Sequence, residues 1–371
     1  MPPGSATNQS IAECMDVSLN TLVVHDPLLQ AQPARVGPVR AGAIASECFG
    51  VSGAVRPLAG ERDLNFQLSC TDGSSYLLKI SHPLENPQVV DFQNQALLHI
   101  QRADPELPVQ RVYAARDGRY QARVDVEGQQ MLVRLFSFVD GLPLHQVEQR
   151  SSALRHNLGE AMARLDRALS DFHHPASGHE LLWDMQQAAR LRPLLLHIDD
   201  GELRDRVTQA LDAFASHAQP RYPQLRAQVI HNDLNPHNVI VDPRHPERLL
   251  NILDFGDMVH APLINEVGVA AAYQLGHEGD VLAPALTFIA AYHRLNPLRD
   301  AELDILAELI ATRLVMTISI TAWRASLHPE NRDYILRNVR QASASLRGLA
   351  AIPSDMARER IHQACRGALQ P

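Results

Sequence analysis

The chain is 371 residues long, 45% hydrophobic, 20% charged and 5% aromatic, which allows a globular, bilobal or two-domain body with a sizeable core. Its net charge of −8 and pI of about 6.1 argue against a nucleic-acid or anionic-membrane partner. No apolar run reaches the roughly 18 residues of a spanning helix, the start Met1-Pro2-Pro3-Gly4-Ser5 lacks the basic and apolar parts of a signal peptide, and Cys14, Cys48, Cys70 and Cys365 form no CxxC pair, so free thiols in a reducing, cytoplasmic compartment are expected.

Residues 1–45 mix small, polar and proline residues around one apolar patch, Leu19–Val24, and read as a loosely ordered lead segment with room for a short packed helix. Residues 46–138 read as a small β-rich lobe. Strands are expected at Glu47–Leu58, Asn65–Cys70 and Ser74–Ile80, separated by turns at Gly60 and at Asp72-Gly73. A helix follows from about Pro87 to Arg102, with Val89, Phe92, Ala96, Leu97 and Ile100 on one face. Two further strands are expected near Val109–Ala115 and Met131–Val139. Phe138-Val139-Asp140-Gly141-Leu142-Pro143 reads as a hinge into residues 139–371, a mainly helical lobe. Its helices are expected at Ser151–Phe172, Trp183–His197, Glu202–Ala218, Asn265–Leu275, Val281–Arg294, Ala301–Ser326, Pro329–Leu349 and Ser354–Leu369.

One stretch interrupts those helices. Two short apolar runs, Asn238–Val241 and Leu249–Leu253, flank the turn-forming Asp242-Pro243-Arg244-His245-Pro246. They predict an antiparallel hairpin with Asn238 opposite about Ile252 and close to Asp254. An amide oxygen and a carboxylate at one end of a hairpin, with Asp233 in the preceding loop, suit Mg²⁺ held together with substrate phosphates. Phosphoryl transfer needs a carboxylate to take the hydroxyl proton, a metal on the phosphates and a cation to orient them. Asp233 supplies the base, Asn238 and Asp254 the metal ligands, and Lys79 the cation.

His231-x-Asp233-x-x-x-x-Asn238 followed by Asp254-Phe255-Gly256-Asp257 resembles the kinases of the aminoglycoside phosphotransferase and choline kinase superfamily. Within it, Tyr76-Leu77-Leu78-Lys79-Ile80-Ser81, Gln93-Asn94-Gln95, Phe172-His173-His174-Pro175-Ala176 and Trp183-Asp184-Met185 are similar to the hydroxylysine kinases. The resemblance implies an α+β, bilobal protein-kinase-like fold. It implies Asp233 as catalytic base, Asn238 and Asp254 as Mg²⁺ ligands, Lys79 on the α- and β-phosphates, and His231 as a residue that orients the catalytic loop. Two departures stand out. The phosphate loop Leu58–Phe66 has one glycine, which leaves Gly60, Arg62 and Asn65 as its candidate phosphate holders. The helix residue expected to pair with Lys79 is Gln95 rather than Glu, with Gln93 or Asn94 equally within reach.

An amino-acid acceptor carries an ammonium and a carboxylate, so it wants an acidic group and an Arg. Asp257, Glu266, Trp183, Asp184 and Arg313 are the candidates. For Arg313, Glu266 and Asp184 an ion pair or a cap within the fold serves as well. The resulting reading is an enzyme that moves the γ-phosphate of GTP or ATP to the hydroxyl of a small amine-bearing metabolite. 5-Hydroxylysine is the expected acceptor, with homoserine, choline or ethanolamine, or an aminoglycoside as alternatives. A nucleotide-binding pseudokinase or regulator is the alternative of another class.

Overall fold

A computed structural model describes residues 35–60, 63–276 and 278–369. Most of the expected lead segment, with Cys14, and Arg62 lie outside them.

The first described element is a helix where the sequence reading has lead and strand. Helix α1 (Pro38–Phe49) starts on Pro38 and closes on Gly50 at φ 72°. Its Ala41, Ile44 and Ala45 recur at helical spacing and are fully buried. They cover one face of an antiparallel sheet with the order β1-β2-β3-β6-β4, in which β5 also pairs with β6. The strands are β1 (Ala54–Leu58), β2 (Leu64–Ser69), β3 (Ser75–Ile80), β4 (Val112–Tyr113), β5 (Ala122–Val126) and β6 (Gln129–Ser137). Strand alternation divides β6. Met131, Val133 and Leu135 join the α1 side, while Arg134 and Phe136 face helix α2 (Pro87–Ala103). Helix α2 lies within one residue of its expected span, because Asn86 caps it and Pro87 opens it. Its buried face includes Val89, Phe92, Ala96, Leu97 and Ile100, as the spacing predicts.

The expected hinge is partly a strand. Leu142–Pro143 forms β7, which pairs with β9 (Val239–Val241). Gly141 permits this: a Cβ there would lie 2.4 Å from Ile240 Cγ2 and 2.9 Å from the Val241 carbonyl. Beyond it come α3 (Ser152–Ala168), α4 (Gly201–Ala213), α5 (Leu263–Ala272), α6 (Ala283–Leu295), α7 (Leu306–Leu327), α8 (Val339–Ala350) and α9 (Ser354–Ala368). The segment read as a helix over Trp183–His197 is 3₁₀-helical from Met185, with Pro193 inside it; proline removes an N–H donor that a regular helix uses. The helix read over Ala301–Ser326 is broken, and α7 begins at Leu306 after a short turn at Asp300–Leu303. Strands β8 (Ala227–Ile230) and β11 (Val259–Pro262) pair antiparallel and bracket the predicted hairpin.

Helix α7 is the only described helix long and apolar enough to cross a membrane, with a mean hydropathy of 1.4. Its most apolar stretch is 78% buried inside the fold, against α5, α8 and the 3₁₀ segment. It is a core helix, and Arg313 sits in its middle.

Candidate active site

Strand β9 and strand β10 (Leu249–Ile252) form the predicted hairpin, with Val239 opposite Ile252. The Leu253 N–H donates to the Asn238 carbonyl at 2.8 Å. Asn238 and Asp254 therefore flank one end of the hairpin, as its register predicts. Buried His231 ties the preceding loop to it. Its Nε2 lies 3.0 Å from the Leu253 carbonyl, its Nδ1 accepts from the Asp233 N–H at 3.2 Å, and its ring stands nearly perpendicular to that of Phe255 with the centroids 4.7 Å apart. Nδ1 accepting and Nε2 donating use both ring nitrogens for orientation.

Asp233 is gripped from three sides. Arg313 Nη2 donates to Oδ1 at 2.7 Å, and Asn235 Nδ2 and Asn238 Nδ2 donate to Oδ2 at 2.8 Å each. Burial pushes the Asp233 carboxyl up to about 7; Asp257 and Asp254 push the same way, while Arg313 and Asn235 oppose them. Half-buried Asp257 is thus an electrostatic neighbour of both Asp233 and Arg313. Asp254 has φ 56° and accepts from the Gly256 N–H at 3.2 Å, and its side chain stays half exposed.

Lys79, on β3, reaches across the cleft to Asp254 Oδ1 at 3.3 Å and to Asp63 Oδ2 at 3.2 Å. Burial works against its charge, yet Asp254 and Asp63 outweigh it and the Lys79 pKa is raised. The carboxylate sought on α2 comes instead from Asp63, in the loop between β1 and β2. Gln95 bonds to Asp91 one turn back in its own helix, not to Lys79. Gln93 faces the cleft, donating to the Gly256 carbonyl at 3.3 Å and accepting from buried Arg134 at 2.8 Å. Residues two apart on a helix point about 200° from each other, so Gln93 and Gln95 cannot share a face. Lys79, Gln93, Arg134, Asp254 and Gly256 line a small polar recess between the lobes. The loop that leads into β2 folds back on itself. Asn65 donates to the Ala59 carbonyl at 3.4 Å, and a Cβ on Gly60 would meet the Asp63 carbonyl at 2.3 Å.

The acceptor candidates divide. Arg313 lies against Asp233, and Trp183 lies against Arg313: the guanidinium is 4.9 Å from the Trp183 ring and 5.7 Å from that of Tyr273. Glu266 does not face the cleft. It is fully buried in α5 and accepts from the Asn232 N–H at 2.8 Å, and burial raises its pKa. Asp184 is buried as the cap of the 3₁₀ segment, bonded to the Gln186 backbone and side chain at 2.9 Å each. Both are committed inside the fold. Asp63, Asn235 and Tyr273 are site residues that sequence reasoning passed over. Asp63 and Asn235 stand inside the motifs themselves, a signal available to it. Tyr273, in an alanine-rich helix end, carries none.

Comparison with known proteins bears on the family and the fold. The phosphotransferase enzyme family (APH) matches residues 54–308. The hydroxylysine kinase of Mus musculus is 24% identical over 321 residues, spanning 80% of this chain and 85% of its own. That of Danio rerio is 24% identical over 337 residues, spanning 87% and 94%. An amicoumacin kinase solved with AMP-PNP and Ca²⁺ shares the fold at a TM-score of 0.59 and 15% identity, over 90% of this chain and 96% of its own. The family match runs through the sheet, the cleft and the β9–β10 hairpin, so the chain belongs to the phosphotransferase enzyme family and is a small-molecule kinase with a hydroxyl acceptor.

Proposed function

We propose that this kinase transfers the γ-phosphate of GTP or ATP to the hydroxyl of an amine-bearing amino acid, with 5-hydroxylysine as the acceptor. The observation that carries the reading is the setting of Asp233, a carboxylate at the cleft whose Oδ2 is held by Asn235 and Asn238 and whose Oδ1 meets Arg313. In the step, the acceptor oxygen bonds to the γ-phosphorus and the bond to the β–γ bridging oxygen breaks. The hydroxyl proton passes to Asp233, and the nucleoside diphosphate leaves. Lys79, already charged beside Asp63 and Asp254, exchanges carboxylate for phosphate oxygens.

The donor set fits Mg²⁺. Asn238 commits its Nδ2 to Asp233, which leaves its carbonyl oxygen for a ligand, and Asp254 keeps a half-exposed carboxylate. When bound, Mg²⁺ neutralises charge on the β- and γ-phosphates. The acceptor is supported by the relatives named hydroxylysine kinase and by acidic Asp257 near the base, which suits an ammonium.

The test is a panel of 5-hydroxylysine, homoserine, choline, ethanolamine and an aminoglycoside with labelled GTP or ATP and Mg²⁺. Label is expected on 5-hydroxylysine, and Asp233→Asn is expected to lower kcat by about 10²–10⁴-fold. Unchanged turnover in that variant defeats the mechanism. Label confined to another acceptor defeats the substrate. Nucleotide binding without label on any acceptor favours a nucleotide-binding regulator.

A further inference from the structure

The guanidinium of Arg313 is an expensive feature for a kinase cleft. Its side chain is 3% exposed and lies in the middle of a core helix, so burying its charge needs compensation. Compensation is partial. Nη2 donates to Asp233 Oδ1, and Nε and Nη2 reach the Tyr273 hydroxyl at 3.3 and 3.2 Å. The rings of Trp183 and Tyr273 flank the group. Nη1, buried, has no hydrogen-bond partner. What sets this unpartnered donor apart is its place beside the base, where a ligand in the cleft can accept from it.

A second consideration concerns Asp233. Its Oδ2 already accepts from two amides, so Oδ1 is the oxygen left for a hydroxyl proton, and Arg313 occupies it. A guanidinium held on that oxygen weakens it as a base. A ligand that draws Arg313 away leaves both lone pairs of Oδ1 open and makes Asp233 the stronger base. A purely cationic acceptor such as choline or an aminoglycoside is repelled by the group. An acceptor carboxylate is attracted to it, and planar guanidinium–carboxylate pairing is among the strongest hydrogen-bonded arrangements.

We propose that Arg313 reads a carboxylate on the acceptor, and that engaging it frees Asp233 Oδ1, so that the base is released only by a carboxylate-bearing hydroxyl substrate. This inference rests on the phosphotransfer reading above and deepens it, because it makes the acceptor class hydroxy-amino acids rather than amino alcohols. Arg313 discriminates, and Tyr273 and Trp183 position it.

The experiment compares 5-hydroxylysine with its decarboxylated counterpart, 1,5-diaminopentan-2-ol, in wild-type enzyme, Arg313→Gln and Tyr273→Phe. Steady-state kinetics with Mg²⁺-nucleotide are paired with calorimetric binding of each compound. Wild type is expected to prefer the carboxylate-bearing compound by at least about 20-fold in kcat/KM. Arg313→Gln is expected to bring that ratio within about threefold of unity, whatever its absolute loss. Tyr273→Phe, which keeps the charge and loosens its seat, is expected to lower the ratio severalfold, and it decides the matter if Arg313→Gln does not fold. A merely structural arginine costs both compounds alike, so an equal loss in either folded variant overturns the proposal, as does a wild type indifferent to the carboxylate. If wild type labels no hydroxyl compound at all, the phosphotransfer reading fails, and the calorimetric preference still decides the role of Arg313.

Discussion

Asp233 combines two demands that pull against each other. It has to be charged to accept a proton, yet burial and the charges of Asp257 and Asp254 press its carboxyl up to about 7. A carboxyl whose pKa is raised is protonated below that value and loses its basic form there. The kcat/KM of the free enzyme is therefore expected to fall about tenfold per pH unit below about 7 and to level off above it. Asp257→Asn removes one of the charges that raise the pKa, so its acidic limb moves to lower pH. A pH–rate profile of both enzymes checks this, and a limb that stays put in the variant separates Asp257 from the base. At this scale the motif spacing picked out Asp233, Asn238 and Asp254 as candidates in the sequence, and the end of the third strand, with the family resemblance, picked out Lys79. It left the carboxylate partner of Lys79 unidentified, because Asp63 reaches it through a loop that folds back around Gly60 and Asn65.

The elements of the site depend on close backbone approach. Strand β9 is gripped between β7 and β10, and Asn238 precedes it directly. At Gly141 the obstructing neighbours include the Val241 carbonyl, which is backbone and moves only with its strand. Gly141→Ala is expected to cost about 1–3 kcal/mol of stability. It is also expected to lower kcat by displacing β9 and with it Asn238. Thermal unfolding and steady-state kinetics measure the two effects, and a variant as stable and active as wild type would show that the approach is relaxed at no cost. Among the elements, α2 and the β9–β10 hairpin were legible from capping, apolar spacing and turn chemistry. Strand β5 was legible and overlooked: Ala122 and Val124 are buried while Arg123 and Asp125 are exposed, and the turn into β6 runs through Glu127 and Gly128. Helix α1 was misread as lead and strand, since its small residues show a helical stripe only against the sheet they cover.

Across the whole molecule, the apolar face of α2 joins the core of the helical lobe, while Lys79 to Asp254 and Gln93 to the Gly256 carbonyl tie the lobes together at the cleft. A nucleotide held between them adds its binding energy to the folded state. At a hundred times its Kd, Mg²⁺-nucleotide is expected to stabilise the protein by about 2.7 kcal/mol, raising Tm by a few degrees. Chelation of the metal is expected to remove most of that rise, and Lys79→Met to diminish it. Thermal scans with each nucleotide also distinguish GTP from ATP. The sequence by itself determined the reaction class, because Asp233, Asn238 and Asp254 lie within one short stretch whose spacing their geometry demands, and Lys79 ends a strand of the other lobe. It determined the two-lobe order as well, through the change from strand to helix periodicity near residue 140. Only the tertiary structure decided which acceptor candidates meet the base. Glu266 and Asp184 turn inward to satisfy backbone N–H groups, whereas Arg313, 80 residues beyond Asp233, is brought against it by the packing of a core helix. No local pattern encodes that contact, since a helix face is assigned by everything packed around it.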